Sequence, residues 1–249
     1  MKYNGTDLSD YNLTAKIISP ASFMPSIRSS YIEVADKAYD FQAFLRPRII
    51  ELEVYVTGDN KADLISNLDS ISLLLSPTEG TQPLVLDFPS DRYYNAKVNS
   101  PLDYQIVHHK LAQGTLIFIC PDPKGYATSQ TSSDFNVDAD PDTVEEAVGG
   151  TAWVEPVYTL TAGEALNAVT IKLENTDTEE ELQWTGSLAN GEVLVINTET
   201  WYVTKEGAAS MATVTGEFPR LKPGITNHIK VTAFSTTGTL NLTYRNSYL

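Results

Sequence analysis

The chain has 249 residues, 42% of them hydrophobic and 20% charged, and a formal net charge of −15. A chain of this length buries roughly 70% of its unfolded surface on folding, enough for one large domain or two ordinary ones without cross-links. Its composition opposes three classes: the lone Cys120 forbids an intrachain disulfide, no run approaches the ~18 apolar residues of a membrane span, and the acidic excess disfavours grooves that grip phosphate.

The opening Met1-Lys2-Tyr3-Asn4-Gly5 passes directly into polar and turn residues, so a secretory signal is not expected and synthesis in a cytoplasm is. Charge is spread unevenly. Residues 1–130 carry 11 basic and 15 acidic side chains (net −4), residues 131–249 carry 6 and 17 (net −11), which suggests two domains with different surfaces. Residues 19–45 follow neither the helical nor the strand period, and are expected as a projecting hairpin or arm. Apolar groups without a home core are commonly buried against a neighbour, which makes Tyr31, Tyr39, Phe41 and Phe44 candidate oligomer-interface residues.

In residues 48–56, Ile50, Leu52, Val54 and Val56 fall on one face and Glu51, Glu53 and Tyr55 on the other, the pattern of a half-buried strand. A helix is predicted over residues 61–75. Asn60 is its N-cap, Asp63 suits the positive end of its dipole, Leu64, Leu68, Ile71 and Leu75 form its apolar stripe, and Pro77 and Gly80 end it. Strands follow at about 84–88 and 116–120, with weaker, more exposed ones at 93–98 and 104–110. Residues 1–126 thus read as an α+β domain, a β-sheet carrying one helix.

Pro121-Asp122-Pro123 stops the last of these strands, because each proline removes a backbone donor. Residues 127–150 are mostly small, polar and acidic, and are expected to be a linker. From 151 to 249 the pattern is all β. Val169, Ile171 and Leu173 alternate with polar residues, and strands are expected near 192–197, 201–204, 228–234 and 239–245, the spacing of a β-sandwich.

Residues able to do chemistry are few. His108 and His109 are adjacent, so on a strand they would face opposite ways, and His228 lies at a polar strand start. No phosphate loop, nucleophile elbow or paired-His zinc motif is present. Asp138-Ala139-Asp140-Pro141-Asp142 opens like a calcium loop, then fails, since Thr143 stands where the turn glycine belongs and Gly149 where the bidentate glutamate belongs. Cys120, in an apolar run, is expected to be a buried inert thiol, and Trp153, Trp184 and Trp201 are expected to fill the sandwich core. No catalysis, cofactor or metal follows from these residues.

The order of segments resembles one known family. Tyr3-Asn4-Gly5-Thr6-Asp7-Leu8-Ser9-Asp10-Tyr11 is similar to the start of the distal tail proteins of long-tailed bacteriophages. The strand of residues 48–58, the helix with Asp63-Leu64, Leu68 and Leu73-Leu74-Leu75, the pair Tyr93-Tyr94, the close in Cys120-Pro121-Asp122-Pro123, and the turn Phe218-Pro219-Arg220-Leu221-Lys222-Pro223-Gly224 followed by Asn227 are similar in turn. The resemblance implies a non-enzymatic structural protein of the virion, at the phage tail tip. Its first domain would form a homo-oligomeric, hexameric ring, and its second, a galectin-like sandwich, would project outward. The implied neighbours are the tail tube protein and the tail-associated lysin or fibre hub, with receptor-binding proteins as further neighbours, and no stable nucleic-acid binding is implied. A carbohydrate-binding adhesion module is the alternative, resting on an aromatic-bearing sandwich.

Overall fold

The computed structural model describes residues 1–18, 27–34, 37–100 and 102–249, with the side chains of residues 29–43 and 77 outside that description. The chain divides into two units, Met1–Tyr126 with Leu249, and Ala127–Tyr248.

The first unit runs β1 (Lys2–Tyr3), β2 (Thr6–Asp7), β3 (Leu13–Ile17), β4 (Ile27–Val34), β5 (Lys37–Leu45), β6 (Arg48–Thr57), α1 (Lys61–Leu74), β7 (Gln82–Val85), β8 (Arg92–Val98), β9 (Asp103–His108) and β10 (Leu111–Cys120), and closes in β11 (Gly125–Ala127). Its sheet has the order β2-β1-β7-β8-β10-β6-β3, and β9 also pairs with β10. The alternation read in residues 48–56 is what builds it: Ile50, Leu52, Val54 and Val56 are all buried. Opposite them in the antiparallel register, Phe118 faces Ile50, Leu116 faces Leu52 and Ala112 faces Val56.

Helix α1 starts where Asn60 was expected to cap it. The Asn60 Oδ1 accepts from Ala62 N (2.9 Å) and Asp63 N (3.1 Å), and Asp63 reaches back to accept from Asp59 N (2.8 Å). Two first-turn donors that a helix leaves unpaired are thereby satisfied. Leu64, Leu68, Ile71 and the capping Leu75 are buried in the core shared with β6 and β10, while Leu73 is exposed.

The arm expected at residues 19–45 is, where described, the hairpin β4–β5, a separate two-stranded sheet with Ile27 opposite Leu45 and Val34 opposite Lys37. Residues 19–26 lie outside the described residues.

The second unit runs β12 (Thr131–Val137), β13 (Asp142–Ala147), β14 (Val157–Thr161), β15 (Leu166–Asn175), β16 (Glu180–Leu188), β17 (Val193–Asn197), β18 (Tyr202–Lys205), β19 (Ala208–Ala209), β20 (Val214–Gly216), β21 (Thr226–Thr232), β22 (Gly238–Tyr244) and β23 (Ser247–Tyr248). One sheet has the order β12-β22-β14-β17-β18-β19 and the other β13-β21-β15-β16-β20. Tyr158, Leu160, Ile196, Leu240 and Leu242 of the first share a core with Ile171, Leu173, Leu182, Trp184 and Ile229 of the second. Two sheets around one apolar layer make a β-sandwich.

The linker expected over 127–150 is corrected. Its residues form β12, paired along its length with β22, and β13, paired with β21. Each is the outermost strand of its sheet, so its outward face is polar and its composition resembles a linker, while Val137 and Val144 are buried. The aspartates of this stretch serve the backbone: Asp142 accepts from Asp138 N (2.8 Å) and Thr143 N (2.7 Å), and Asp140 from Ala233 N (2.6 Å). The tryptophans are corrected as well. Trp184 fills the core with its Nε1 donating to Ser210 Oγ (2.8 Å), whereas Trp153 and Trp201 are 38% and 70% exposed.

Candidate assembly interface

Among the described residues, Cys120 and His228 are held by their surroundings. Cys120 is fully buried, and its desolvation pushes the thiol up to about 12, far from the range of a reactive thiolate. His109 lies in the turn after β9, not on the strand, so the rings of His108 and His109 do not point apart as expected but lie 3.8 Å apart between centroids. In the second unit, the His228 ring nitrogens lie 3.0 Å from Asp177 and 3.6 Å from Glu145, and the His228 backbone N–H donates to Asp177 (2.7 Å). That backbone bond, with the ring's, holds the Asp177 carboxyl below its ordinary value. Among the described residues no group of three or more His, Cys, Asp or Glu is placed to hold a metal ion.

The close basic pair of the first unit, Arg46 and Arg48, does not form a phosphate cradle. Arg46 and Arg48 are close in sequence, but Arg46 is exposed while Arg48 is buried. Arg48 Nε donates to Pro123 O (2.9 Å) and its guanidinium lies 4.9 Å from the centre of the Tyr94 ring. Its desolvation lowers its pKa, partly offset by Tyr94, Cys120 and Asp122 beside it. Arg48 is a strut of the core and closes the Pro121-Asp122-Pro123 turn.

Exposed apolar side chains on the first unit include Leu73 (81%) and Phe88 (76%), and also cluster at two places on its strands. On the hairpin, Ile27 is 64% exposed, Phe44 55% and Leu45 42%. Of the expected interface residues Phe44 is therefore on the surface, while the side chains of Tyr31, Tyr39 and Phe41 lie outside the described residues.

The second place is β9, every residue of which is exposed, with Tyr104, Ile106 and Val107 pointing apolar groups outward. Among the described residues its strand partner is β10 alone, so one backbone edge is open. Gly114 permits the pairing, since any Cβ there would meet the Asp103 carbonyl oxygen at 2.3 Å. An open edge with exposed apolar side chains and no proline is a template for another strand. The exposed strand expected at about 104–110 is thus found at Asp103–His108, but its open edge is not legible in the sequence, since pairing depends on distant strands.

In the second unit the turn Lys222-Pro223-Gly224 is tied by the fully buried Asn227. Its Oδ1 accepts from Lys222 N (2.8 Å) and Asn175 Nδ2 (3.0 Å), and its Nδ2 donates to Lys222 O (3.0 Å). Gly224 sits at φ +75°, a conformation that favours glycine. The motif therefore has a physical reason: a buried amide reads the turn from inside.

Residues 149–248 match the family model described as siphovirus-type tail component, C-terminal domain. Among solved structures, the chain is similar to the Dit protein of phage SPP1, described as a paradigm of the hub adsorption apparatus in phages that infect Gram-positive hosts, with a TM-score of 0.79 at 18% identity over 99% of this chain and 98% of that one. The baseplate of phage p2 in its activated conformation with calcium gives a TM-score of 0.47 at 8% identity over 92% and 90%. No curated protein matches. The likeness to SPP1 Dit fixes the fold from end to end. Residues 149–248 thus match the C-terminal domain of a siphovirus-type tail component, and the chain has the fold of SPP1 Dit over 99% of its length.

Proposed function

We propose that the protein is a non-enzymatic structural component of a phage tail tip, a homo-oligomeric, hexameric ring joining the tail tube to the tail-associated lysin or fibre hub. The observation that carries this reading is the family match over residues 149–248, set in a chain whose fold follows SPP1 Dit over 99% of its length. In this reading the first unit makes the ring and the second, a galectin-like sandwich, faces outward. The contact between copies uses the β4–β5 hairpin, with Tyr31, Tyr39, Phe41 and Phe44, and the open edge of β9.

The physical support is economy. Exposed apolar groups and an open strand edge on one unit are stabilised when a second copy covers them, and identical subunits that do so in rotation close a ring. Native mass spectrometry and negative-stain imaging of the full chain test this. A closed ring of one defined order is the expected result, and a monomer throughout the micromolar range would overturn the reading.

A further inference from the structure

We propose that a groove on the second unit, bounded by Trp201, Phe218 and Arg220, is a binding site for a neutral glycan. The site does not depend on the ring, because every residue in it belongs to the sandwich.

Trp201 is the first observation. It is 70% exposed at the turn between β17 and β18, although the core of the same unit readily takes a tryptophan at Trp184. Its φ is +55°, in the left-handed region that a bulky L-residue rarely adopts. A large apolar ring held in water by an unfavourable backbone does not stabilise the fold, and such outliers concentrate at binding sites.

The second observation is what stands beside it. Trp201 borders a groove of about 490 Å³ that also takes in Glu155, Thr198, Glu217, Phe218 and Arg220, a volume within the range of about 300–1,000 Å³ typical of small-ligand clefts. Arg220 is fixed in place. Its backbone N–H donates to Glu180 Oε2 (2.7 Å), its Nε donates to Glu180 Oε1 (2.9 Å), and its guanidinium lies 4.9 Å from the centre of the Trp153 ring. Glu180 is itself 8% exposed, so a buried carboxylate and an indole face set one arginine against the groove.

A pyranose ring matches this arrangement. One of its faces is a patch of C–H groups that can lie on an indole, and its rim of hydroxyls both donates and accepts. Carboxylates at Glu155 and Glu217 accept from such hydroxyls, and the held guanidinium donates to them. The charge selects among sugars. Three carboxylates (Glu155, Glu180, Glu217) face one guanidinium, so phosphodiester polymers and acidic sugars are repelled and neutral ones are not. A purely apolar peptide segment would desolvate these charged groups and offer them no hydrogen bond in return.

Isothermal titration of the full chain with four neutral hexasaccharides (an α-glucan, a β-glucan, a chitin-type and a galactan oligomer), with poly(glycerol phosphate) as the anionic counterpart, tests the site. We expect saturable binding of at least one neutral hexasaccharide, weakened at least tenfold in Trp201→Ala and partly restored in Trp201→Phe. Trp201 is exposed and its backbone favours a smaller residue, so the alanine variant should fold, which an unchanged melting temperature would verify. Binding of none of the four neutral sugars, binding of the anionic polymer alone, or affinity unchanged in Trp201→Ala would each overturn the proposal.

Discussion

At the scale of single residues, burial decides what each chemical group can do. Cys120 is a nucleophile by type and inert by place. Because burial raises its pKa from 9.0 to about 12, the unfolded chain loses the thiol proton above pH 9 while the native chain keeps it. Stability should therefore fall as pH rises from 9 toward 12, and Cys120→Ser should remove that part of the alkaline loss. Alkylation of the thiol at pH 8 should proceed only as fast as global unfolding; labelling of the native protein at the rate of a free thiol would contradict the burial. Arg48 makes the same point for a cation. Removing its side chain leaves the Pro123 carbonyl without its Nε donor and a void beside Tyr94, so Arg48→Ala should cost about 2–4 kcal/mol in urea unfolding. Lysine should rescue it poorly, lacking the planar guanidinium that lies over the ring.

At the scale of elements, local signals and distant partners divide the work. The cap of α1 is wholly local. Asn60→Ala should destabilise the protein by about 1 kcal/mol, measured by thermal melting, because two helix-start donors lose their acceptor. The hairpin is the opposite case, since its exposed residues have no partner core within the described chain. Replacing Phe41 and Phe44 with serine should weaken subunit association, read by sedimentation at matched concentration, while the melting temperature at high dilution changes little. Equal association of variant and parent would remove the hairpin from the interface. Strands β12 and β13 show why the hidden part of the fold was hidden. Their residues look like a linker because one face of each is polar, and the partners that make them strands, β22 and β21, lie about a hundred residues later in the chain.

At the scale of the whole molecule, the division into two units makes assembly a separable property. Met1–Tyr126 has its own core, from Tyr3 through Leu64 to Phe118, and Ala127–Tyr248 has another. In the proposed ring the first unit makes the contacts between copies, so a chain ending at Tyr126 should assemble as the full chain does, read by size-exclusion chromatography with light scattering. A monomer, where the full chain is a ring, would move the interface to the sandwich.

By itself the sequence determined what depends on neighbours a few residues apart. The alternation of Ile50, Leu52, Val54 and Val56 and the cap and stripe of α1 are local patterns, and each names its element. Only the tertiary structure decided that Arg48 is buried while Arg46 is not, that residues 127–150 are sheet edges, and that Trp153 and Trp201 face solvent while Trp184 does not. Exposure is set by which distant strands close over a side chain, and a residue's type and near neighbours carry no record of that closure.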